Sequence, residues 1–392
     1  MNNYDLIWQL RQDEDNNFIR SGMLPDINEH YLHFLINLPD TEGNKLFCSY
    51  GLHQCIDLLK NAVSGGTEKE LSILAYLTEI KKETIDIDDA KLKEIMFLLY
   101  KSGIGDITDG YKAYAESKKN LEIRNYNDSN LAETVKAVND KVDKLSNGKI
   151  KDLMKTDELA ENSAAIINVV YFKGEWLDKF RKCDNKLKFT NHLNQASDVE
   201  CIKGSADAYV YNDSLHGFCK SYADTNLSFY ALMPKENTCA YNFSLFENRK
   251  ETKTTKDSTE VKPFTLEDIL KIRNLKRDTE AELKITMPKF KMECKCSLKE
   301  TFMELGIKSI FRGGDFSKGF KKYVGKHVSE IESICGIELD ENGTEAYGAV
   351  KILMTSSIRK EIDLVFDKPF FFMIYDEKNK IPVFMGILNN VE

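Results

Sequence analysis

One stretch near the carboxyl end, residues 340–372, constrains the fold of this 392-residue chain more than any other. From residue 344 onward, every second residue is small or apolar: Thr344, Ala346, Gly348, Val350, Ile352 and Met354. The residues between them form a mixed set: Glu345, Tyr347, Ala349, Lys351, Leu353 and Thr355. A period of two is typical of a strand with one buried face. The glycines and the polar residues at 355–360 are typical of an exposed loop. Loop composition combined with a strand pattern predicts a segment that is exposed in one state and joins a sheet in another.

This stretch is similar to a known protein family. Residues 341–346, Glu-Asn-Gly-Thr-Glu-Ala, followed by Lys-Pro-Phe at 368–370, resemble the hinge and reactive-centre loop of the serpins, a family of serine protease inhibitors. Further blocks resemble the same family in the same order along the chain: residues 168–176, 287–293, 298–307 and 384–386. Each block alone is a weak signal, but together and in order they are specific.

The resemblance implies an α+β fold, with a single serpin-type domain over residues 26–392. This domain would have a large, mainly antiparallel central sheet, further β-sheets, about eight to nine helices, and an exposed reactive-centre loop over about 341–366. Residues 1–25 are polar and are interpreted as an N-terminal extension. Helical patterns come first and strand patterns follow, which is also typical of an α+β domain. Thr67 followed by Glu70 predicts a capping box at the start of a helix.

The resemblance further implies a protease inhibitor and not an enzyme. A serpin of this kind acts as a suicide substrate: the protease cleaves the loop, stays attached as an acyl-enzyme, and is trapped when the loop inserts into the central sheet. Residues that match the hinge motif are Glu341, Gly343, Thr344, Glu345, Ala346 and Gly348. The small uncharged residues of the inward-facing set can be buried at little cost, which favours an inhibitory hinge. The alternative is a non-inhibitory protein of the same fold with a carrier, chaperone or storage role.

The position of the reactive bond is open between two registers. Counting from the hinge in the family's usual register places it between Ser357 and Ile358. Counting back from the Lys-Pro-Phe motif places it between Ile358 and Arg359. Ser357 or Ile358 would suit an elastase-like protease, and Arg359 a trypsin-like one. Met354 would suit a chymotrypsin-like or cathepsin G-like protease. The expected partners are therefore chymotrypsin-fold serine proteases, with cysteine proteases as a lesser alternative.

Four residues are expected where the central sheet must open. Trp176 ends the block at 168–176 and maps to the breach, where the loop begins to enter the sheet. Asn168, Ser49 and Ser333 map to the shutter. The chain departs from the family here, because only one serine of the usual Ser-Pro-x-Ser motif is kept and Ser333 stands where a histidine is usual. A rebuilt polar network in the shutter is the expected consequence.

The composition of the chain limits which partners and which cellular compartments are expected. A net charge of -8 argues against a nucleic-acid partner, because basic surfaces supply that affinity. The longest apolar run, residues 164–172, is too short to cross a bilayer, so no membrane role is expected. The N-terminus lacks the basic start and apolar core of a conventional secretory signal. A monomer is expected, either cytoplasmic or released to the extracellular space by an unconventional route.

No metal or other cofactor is expected. The 9 cysteines are an odd number without the spacing of a small disulfide scaffold, which favours reduced, buried thiols. Cys294 and Cys296 share one face of a strand, but a lone Cys-x-Cys supplies too few ligands for a zinc site. Lysines 321, 322 and 326 lie close to His327 in the sequence. They favour a solvated surface over a polyanion site.

Overall fold

The computed structural model describes residues 32, 35, 38, 43–72, 92–235, 275–343 and 361–391, with backbone only at 293–296 and 332–333. Helices in this part of the chain are α1 (Ser49–Ala62), α2 (Gly65–Ser72), α3 (Asp109–Glu116), α4 (Leu131–Leu145), α5 (Thr156–Ala160) and α6 (Lys299–Glu304).

Strands make up most of the regular structure and follow the chain in this order: β1 (Lys45–Phe47), β2 (Leu92–Lys101), β3 (Leu121–Tyr126), β4 (Ala164–Phe172), β5 (Arg181–Lys182), β6 (Leu187–Thr190), β7 (Ala196–Val199), β8 (Cys201–Gly204), β9 (Ala208–Tyr211), β10 (Leu215–Ser221), β11 (Leu227–Pro234), β12 (Lys276–Asp278), β13 (Glu282–Pro288), β14 (Phe290–Ser297), β15 (Glu332–Leu339), β16 (Glu361–Val365), β17 (Phe370–Asp376) and β18 (Ile381–Leu388). The predicted α+β class is confirmed. The expected helix number concerns the whole chain and extends beyond the described residues.

The largest sheet has seven strands in the order β1-β18-β17-β11-β10-β9-β12, and all neighbouring strands are antiparallel. Every residue of β17 and β18 is buried, which explains why both strands are almost entirely apolar. Helix α1 packs against β18. The Phe290 ring of β14 lies 5.2 Å from the Phe372 ring of β17. The main core therefore lies against this seven-stranded sheet.

A four-stranded sheet has the order β16-β13-β8-β5. Strand β16 runs parallel to β13, whereas the pairs β13–β8 and β8–β5 are antiparallel. Strand β5 is one of the two edge strands and is only two residues long. Strand β16 begins at Glu361, directly after residues 344–360, which lie outside the described residues. The last part of the loop predicted over about 341–366 is therefore strand β16 of this sheet rather than loop.

A further set of strands forms what we call the divided sheet, in two parts. One part has the order β3-β2-β4, and the other is the antiparallel pair β14-β15. Strands β4 and β15 lie close to each other. Within the described residues, however, bridges and backbone hydrogen bonds between the two segments occur only past the carboxyl ends of the strands, where Glu175 bridges Gly343 and the Trp176 amide donates to the Asn342 carbonyl at 3.2 Å. Both strands run toward this meeting point. We call the line along which they face each other the β4–β15 boundary.

A second, smaller core supports the part of the divided sheet that contains β4. Helix α4 buries Val135, Val138 and Val142, which lie on one face because of their three- and four-residue spacing. These side chains belong to one apolar cluster with Phe97 of β2 and Tyr126 of β3. The helix therefore covers one side of β2.

The predicted capping box at Thr67 is wrong. Helix α2 already begins at Gly65, so Thr67 lies inside it. The Thr67 hydroxyl instead accepts a hydrogen bond from the Asp315 amide at 2.9 Å, and the Glu70 carboxylate accepts one from the Ser309 amide at 2.8 Å. Both side chains thus stabilise a distant turn rather than their own helix terminus.

Candidate functional site

The chain reverses direction immediately after β15. The Asp340 amide donates to the Gly343 carbonyl at 3.2 Å, and the Gly343 amide donates back to the Asp340 carbonyl at 3.4 Å. The Asp340 side chain accepts from the Asn342 amide at 2.8 Å, which tightens the turn. At Gly343 the backbone therefore runs antiparallel to β15.

Gly343 also has a backbone partner on its other side. It forms an antiparallel bridge with Glu175, which follows β4. Its φ is +117°, and a Cβ atom there would lie 2.5 Å from the Gly174 carbonyl oxygen, so only glycine fits. A chain continuing from Gly343 in the same direction would run along the β4–β15 boundary, antiparallel to both strands.

Trp176 fixes the end of the divided sheet at this point. Its indole is 2% exposed and stacks on Tyr222, with ring centroids 4.6 Å apart. Phe180 and Phe229 contact it edge to face at 5.5 and 5.7 Å. The indole Nε1 donates to the Asp340 carbonyl at 3.0 Å. The residue that the sequence assigns to the breach therefore lies against the turn that contains the hinge glycine.

The carboxylate of Glu341 anchors the hinge to the four-stranded sheet. It forms ion pairs with Lys289, which follows β13, at 2.6 Å, and with Lys182 of β5 at 3.4 Å. Burial would raise the pKa of Glu341, but the two lysines outweigh burial and hold this pKa below its usual range. The Glu341 carboxylate of the predicted hinge is thus charged at neutral pH and held by a lysine of β5 and a lysine directly after β13. Neither ion pair is evident in the sequence, because the partners are distant along the chain.

A partly buried carboxylate that the sequence analysis missed, Glu94 of β2, lies beside β4. Its side chain accepts hydrogen bonds from Asn168 Nδ2 at 2.5 Å, from the Tyr50 hydroxyl at 3.2 Å and from Asn120 Nδ2 at 3.4 Å. Burial raises the pKa of Glu94, and the three donors offset this effect only in part. The one available signal was an acidic residue inside an otherwise apolar stretch of β2.

The residues assigned to the shutter do not bond directly to one another where their side chains are described. The Ser49 hydroxyl donates to the Pro382 carbonyl of β18 at 2.7 Å, whereas Asn168 bonds Glu94. Helix α1 contributes both Ser49 and Tyr50 and so connects the seven-stranded sheet to the divided sheet. Ser333 pairs through its backbone with residue 296 near the start of β15, and its side chain is outside the description. Among the described residues near the predicted shutter, Glu94 is the acceptor that Asn168, Tyr50 and Asn120 share.

The remaining predicted site residues lie outside the described residues: Thr344, Glu345, Ala346, Gly348, Met354, Ser357, Ile358 and Arg359. The side chains of Cys294 and Cys296 are likewise not described.

The three lysines near His327 each have a polar or charged partner within the protein. Lys322 Nζ donates to the Gly103 carbonyl at 2.8 Å, and Lys326 Nζ donates to the Ser163 hydroxyl at 2.8 Å. Lys321 lies 3.4 Å from a carboxylate oxygen of α3. Their side chains reach different elements and do not converge on one point.

Within the described ranges, no group of three or more His, Cys, Asp or Glu side chains could hold a metal ion. No helix in those ranges is long and apolar enough to cross a membrane.

Comparison with known proteins identifies relatives over almost the whole chain. The family model described as Serpin (serine protease inhibitor) matches residues 36–391. An uncharacterized serpin-like protein of Thermococcus kodakarensis is 28% identical over 394 aligned residues, covering 93% of this chain and 84% of that protein. Serine protease inhibitor 42Dd of Drosophila melanogaster is 24% identical and covers 87% of this chain and 90% of that protein.

The fold agrees with solved structures. The crystal structure of Serpin48 from Tenebrio molitor, described as a highly specific serpin, superimposes with a TM-score of 0.71 at 16% sequence identity. The match covers 93% of this chain and 97% of that structure. Similarity at this level of identity establishes the shared fold.

Proposed function

Because the chain belongs to the serpin family, we propose that it inhibits serine proteases as a suicide substrate. A protease attacks the predicted reactive-centre loop within residues 344–360, ahead of β16, and forms an acyl-enzyme. The freed segment then inserts along the β4–β15 boundary and carries the attached protease with it. The protein is consumed in the process and is an inhibitor, not an enzyme.

The observation that carries this proposal is the double pairing of Gly343. Its backbone is bridged to Asp340 on one side and to Glu175 on the other, antiparallel to both. It therefore has the position and direction expected for the first residue of a strand that inserts between β4 and β15. The turn at 340–343 reverses the chain without breaking either contact.

The sequence beyond Gly343 supports insertion energetically. Thr344, Ala346 and Gly348 alternate with more polar residues and carry no charge that would have to be buried. An inserted strand of about a dozen residues would form two hydrogen-bond ladders at about 0.5–1.5 kcal/mol per bond. Burial of its apolar face adds about 25 cal/mol per Å². The gross gain is on the order of 10–20 kcal/mol, comparable to the stability of a whole domain.

The length of the segment is sufficient to displace a protease. From Thr344 to Ser357, at about 3.3 Å per residue, an inserted strand would extend over roughly 45 Å. The amino-terminal ends of β4 and β15 lie at the far end of the boundary from Gly343. The trapped protease would therefore be carried away from the hinge, toward Ala164 and Glu332.

We propose Ser357–Ile358 as the reactive bond, with Ile358–Arg359 and a bond after Met354 as alternatives. The residue before the bond enters the S1 pocket of the protease. Ser357 or Ile358 there predicts an elastase-like protease, and Met354 predicts a chymotrypsin-like or cathepsin G-like one. A trypsin-like protease would instead cut one residue further on, after Arg359. The released carboxyl-terminal peptide would begin at a different residue in each case, so its mass identifies the bond.

The test is to incubate the full chain with elastase, chymotrypsin, cathepsin G and trypsin. We expect at least one of them to form a complex that survives SDS, together with a released peptide beginning between residues 354 and 360. A protease whose active-site serine has been alkylated is the control and should form no such complex. Clean cleavage by every protease, with no complex and no rise in melting temperature, would instead identify a non-inhibitory carrier, chaperone or storage protein.

A further inference from the structure

Two cysteines face each other at the edge of the four-stranded sheet. Strands β5 and β8 pair antiparallel with Lys182 opposite Ile202. One position further, the Cys183 amide donates to the Cys201 carbonyl at 3.0 Å, so the same register places Cys183 opposite Cys201. Directly opposed residues of an antiparallel pair have Cα atoms about 4.5–5.5 Å apart. A disulfide requires about 4.4–6.8 Å between Cα atoms. The separation expected for this hydrogen-bonded pair, about 5.5 Å between Cα atoms, therefore lies within the range that a disulfide can bridge.

The two thiols differ in their access to solvent. Cys201 is 5% exposed, and its thiol donates to the Asn185 carbonyl at 3.3 Å. Burial first, and then the neighbouring Cys183 thiol, raise the pKa of Cys201 to about 12. Cys183 is only partly buried. A reagent in solution therefore reaches Cys183 first, and Cys201 is the second sulfur within its reach.

We propose that Cys183 and Cys201 are a redox site that forms a reversible cross-strand disulfide by exchange with a low-molecular-weight disulfide such as oxidised glutathione. The Cys183 thiolate attacks one sulfur of the oxidant and releases one glutathione thiolate, leaving a mixed disulfide. Cys201 loses its proton and attacks the Cys183 sulfur, releasing the second glutathione. Two protein thiols are oxidised by two electrons and one glutathione disulfide is reduced to two thiols. Glutathione in a reducing compartment reverses both steps.

The position of this site connects it to the hinge. Lys182, next to Cys183, is paired with Glu341 at 3.4 Å. Glu200, next to Cys201, lies 3.7 Å from Lys289, which holds the same hinge carboxylate at 2.6 Å. Because β5 is an edge strand of two exposed residues, a covalent link to β8 would restrain it strongly. Oxidation would therefore hold Lys182 closer to its present position beside the hinge.

The first test measures the bond itself and needs no protease. The full chain is equilibrated in buffers of increasing oxidised-to-reduced glutathione ratio, quenched with an alkylating reagent and digested without reduction. We expect a linked peptide pair containing Cys183 and Cys201, lost in Cys183→Ser and retained in Cys219→Ser, which removes a buried thiol elsewhere. Glutathione trapped on Cys183 with no linked pair at any ratio would overturn the proposal, as would linkage of Cys183 to another cysteine.

The second test measures the effect on the strand. Amide hydrogen exchange over residues 181–184 and 340–343 is compared between the oxidised and reduced full chain. We expect exchange to slow several-fold on oxidation in the unmodified protein and to be unchanged in Cys183→Ser treated identically. Equal exchange in the two forms of the unmodified protein would overturn the restraint on β5. Neither readout depends on whether the protein inhibits a protease.

Discussion

The seven-stranded sheet and the divided sheet differ in how completely they are formed. In the seven-stranded sheet, β17 is paired on both sides along its length and every one of its residues is buried. In the divided sheet, β4 has a ladder with β2 and β15 has one with β14, but the described residues provide no ladder across the β4–β15 boundary. Strand β17 therefore has no edge left for a further strand to pair with. The divided sheet presents two facing strand edges that a further strand could pair with.

The two sheets also differ in what lies beside their strands. Rings fill the core against the seven-stranded sheet, where Phe218, Phe229 and Phe372 form consecutive contacts. The divided sheet has a hydrogen-bonded carboxylate, Glu94, and an amide, Asn168, within its strands. Polar groups in such a position limit stability but allow hydrogen bonds to be exchanged when neighbours move. This difference favours a seven-stranded sheet that keeps its strand pairing and a divided sheet whose strand pairing can change.

The sharpest test of this contrast places a charge on one face of the predicted inserting segment. In the unmodified protein, cleavage of the loop should raise the melting temperature by about 20 °C or more, given a gain on the order of 10–20 kcal/mol. Ala346→Asp places a carboxylate on the inward face, where burial costs several kcal/mol. We expect most of the rise to be lost, as measured by differential scanning fluorimetry of intact and nicked protein.

The matched control is Ala349→Asp, which makes the same change on the outward face of the same segment. It should retain the rise in melting temperature. If the two variants behave alike, the period-two assignment of faces is incorrect.

The next largest change in stability is expected from a substitution in the core of the seven-stranded sheet. Phe218 is 0% exposed and contacts Phe180, Phe229 and Phe366. Phe218→Ala should destabilise the protein by about 3–5 kcal/mol through loss of packing. Because the central strands of this sheet are already paired on both sides, we expect the same decrease in melting temperature in intact and nicked protein. A decrease confined to one form would show that the seven-stranded sheet also takes part in the transition.

A smaller effect is expected at Glu94. Glu94→Ala leaves the partly buried donors of Asn168 and Tyr50 without their acceptor, which should cost about 1–3 kcal/mol. Thermal melting of the variant checks this value. An unchanged melting temperature would mean that these groups find other partners when the carboxylate is removed.

Glu94 should also make the stability of the protein depend on pH. Burial raises the pKa of Glu94 in the folded protein. Its contribution to stability is therefore fully present below the ordinary pKa of glutamate and is lost as the pH rises through the raised value. Glu94→Gln cannot titrate, so its melting temperature relative to the unmodified protein should increase from about pH 4 to pH 7. A difference that is constant over this range would contradict the prediction. Lys118 is the nearby cation that opposes the shift.

The smallest effect is expected at the hinge anchor. Lys289→Met removes the closer cation from Glu341 and should cost about 1 kcal/mol, because this pair remains partly hydrated. Lys182→Met removes the more distant cation and should cost less. The pKa of Glu341 is lowered, so its contribution is present at neutral pH and is lost as the pH falls through the lowered value. Melting curves at pH 7 and below test both points, and a larger loss for Lys182→Met would reverse the assignment of the main anchor.

Local patterns in the sequence were sufficient for much of the fold and for part of the site. The apolar runs of β4, β17 and β18 and the order of the motif blocks predict the α+β class and the family. Trp176 could be assigned to the breach and Gly343 to the hinge because each belongs to a short motif of consecutive residues. In contrast, the partners of Glu341 and Glu94 come from distant segments, and no short pattern specifies them. The failed capping box at Thr67 has the same origin, because a tertiary contact took up a side chain that local spacing assigned to its own helix.

The location of β17 and β18 determines what a cut loop would leave behind. Both strands follow the predicted reactive bond in the chain, yet both lie inside the seven-stranded sheet. Residues 358–392 would therefore remain as a tightly held non-covalent subunit, and a cleaved molecule would elute from a sizing column like an uncut one. Proteolysis would convert a single polypeptide into a stable heterodimer whose smaller chain emerges only under denaturing conditions.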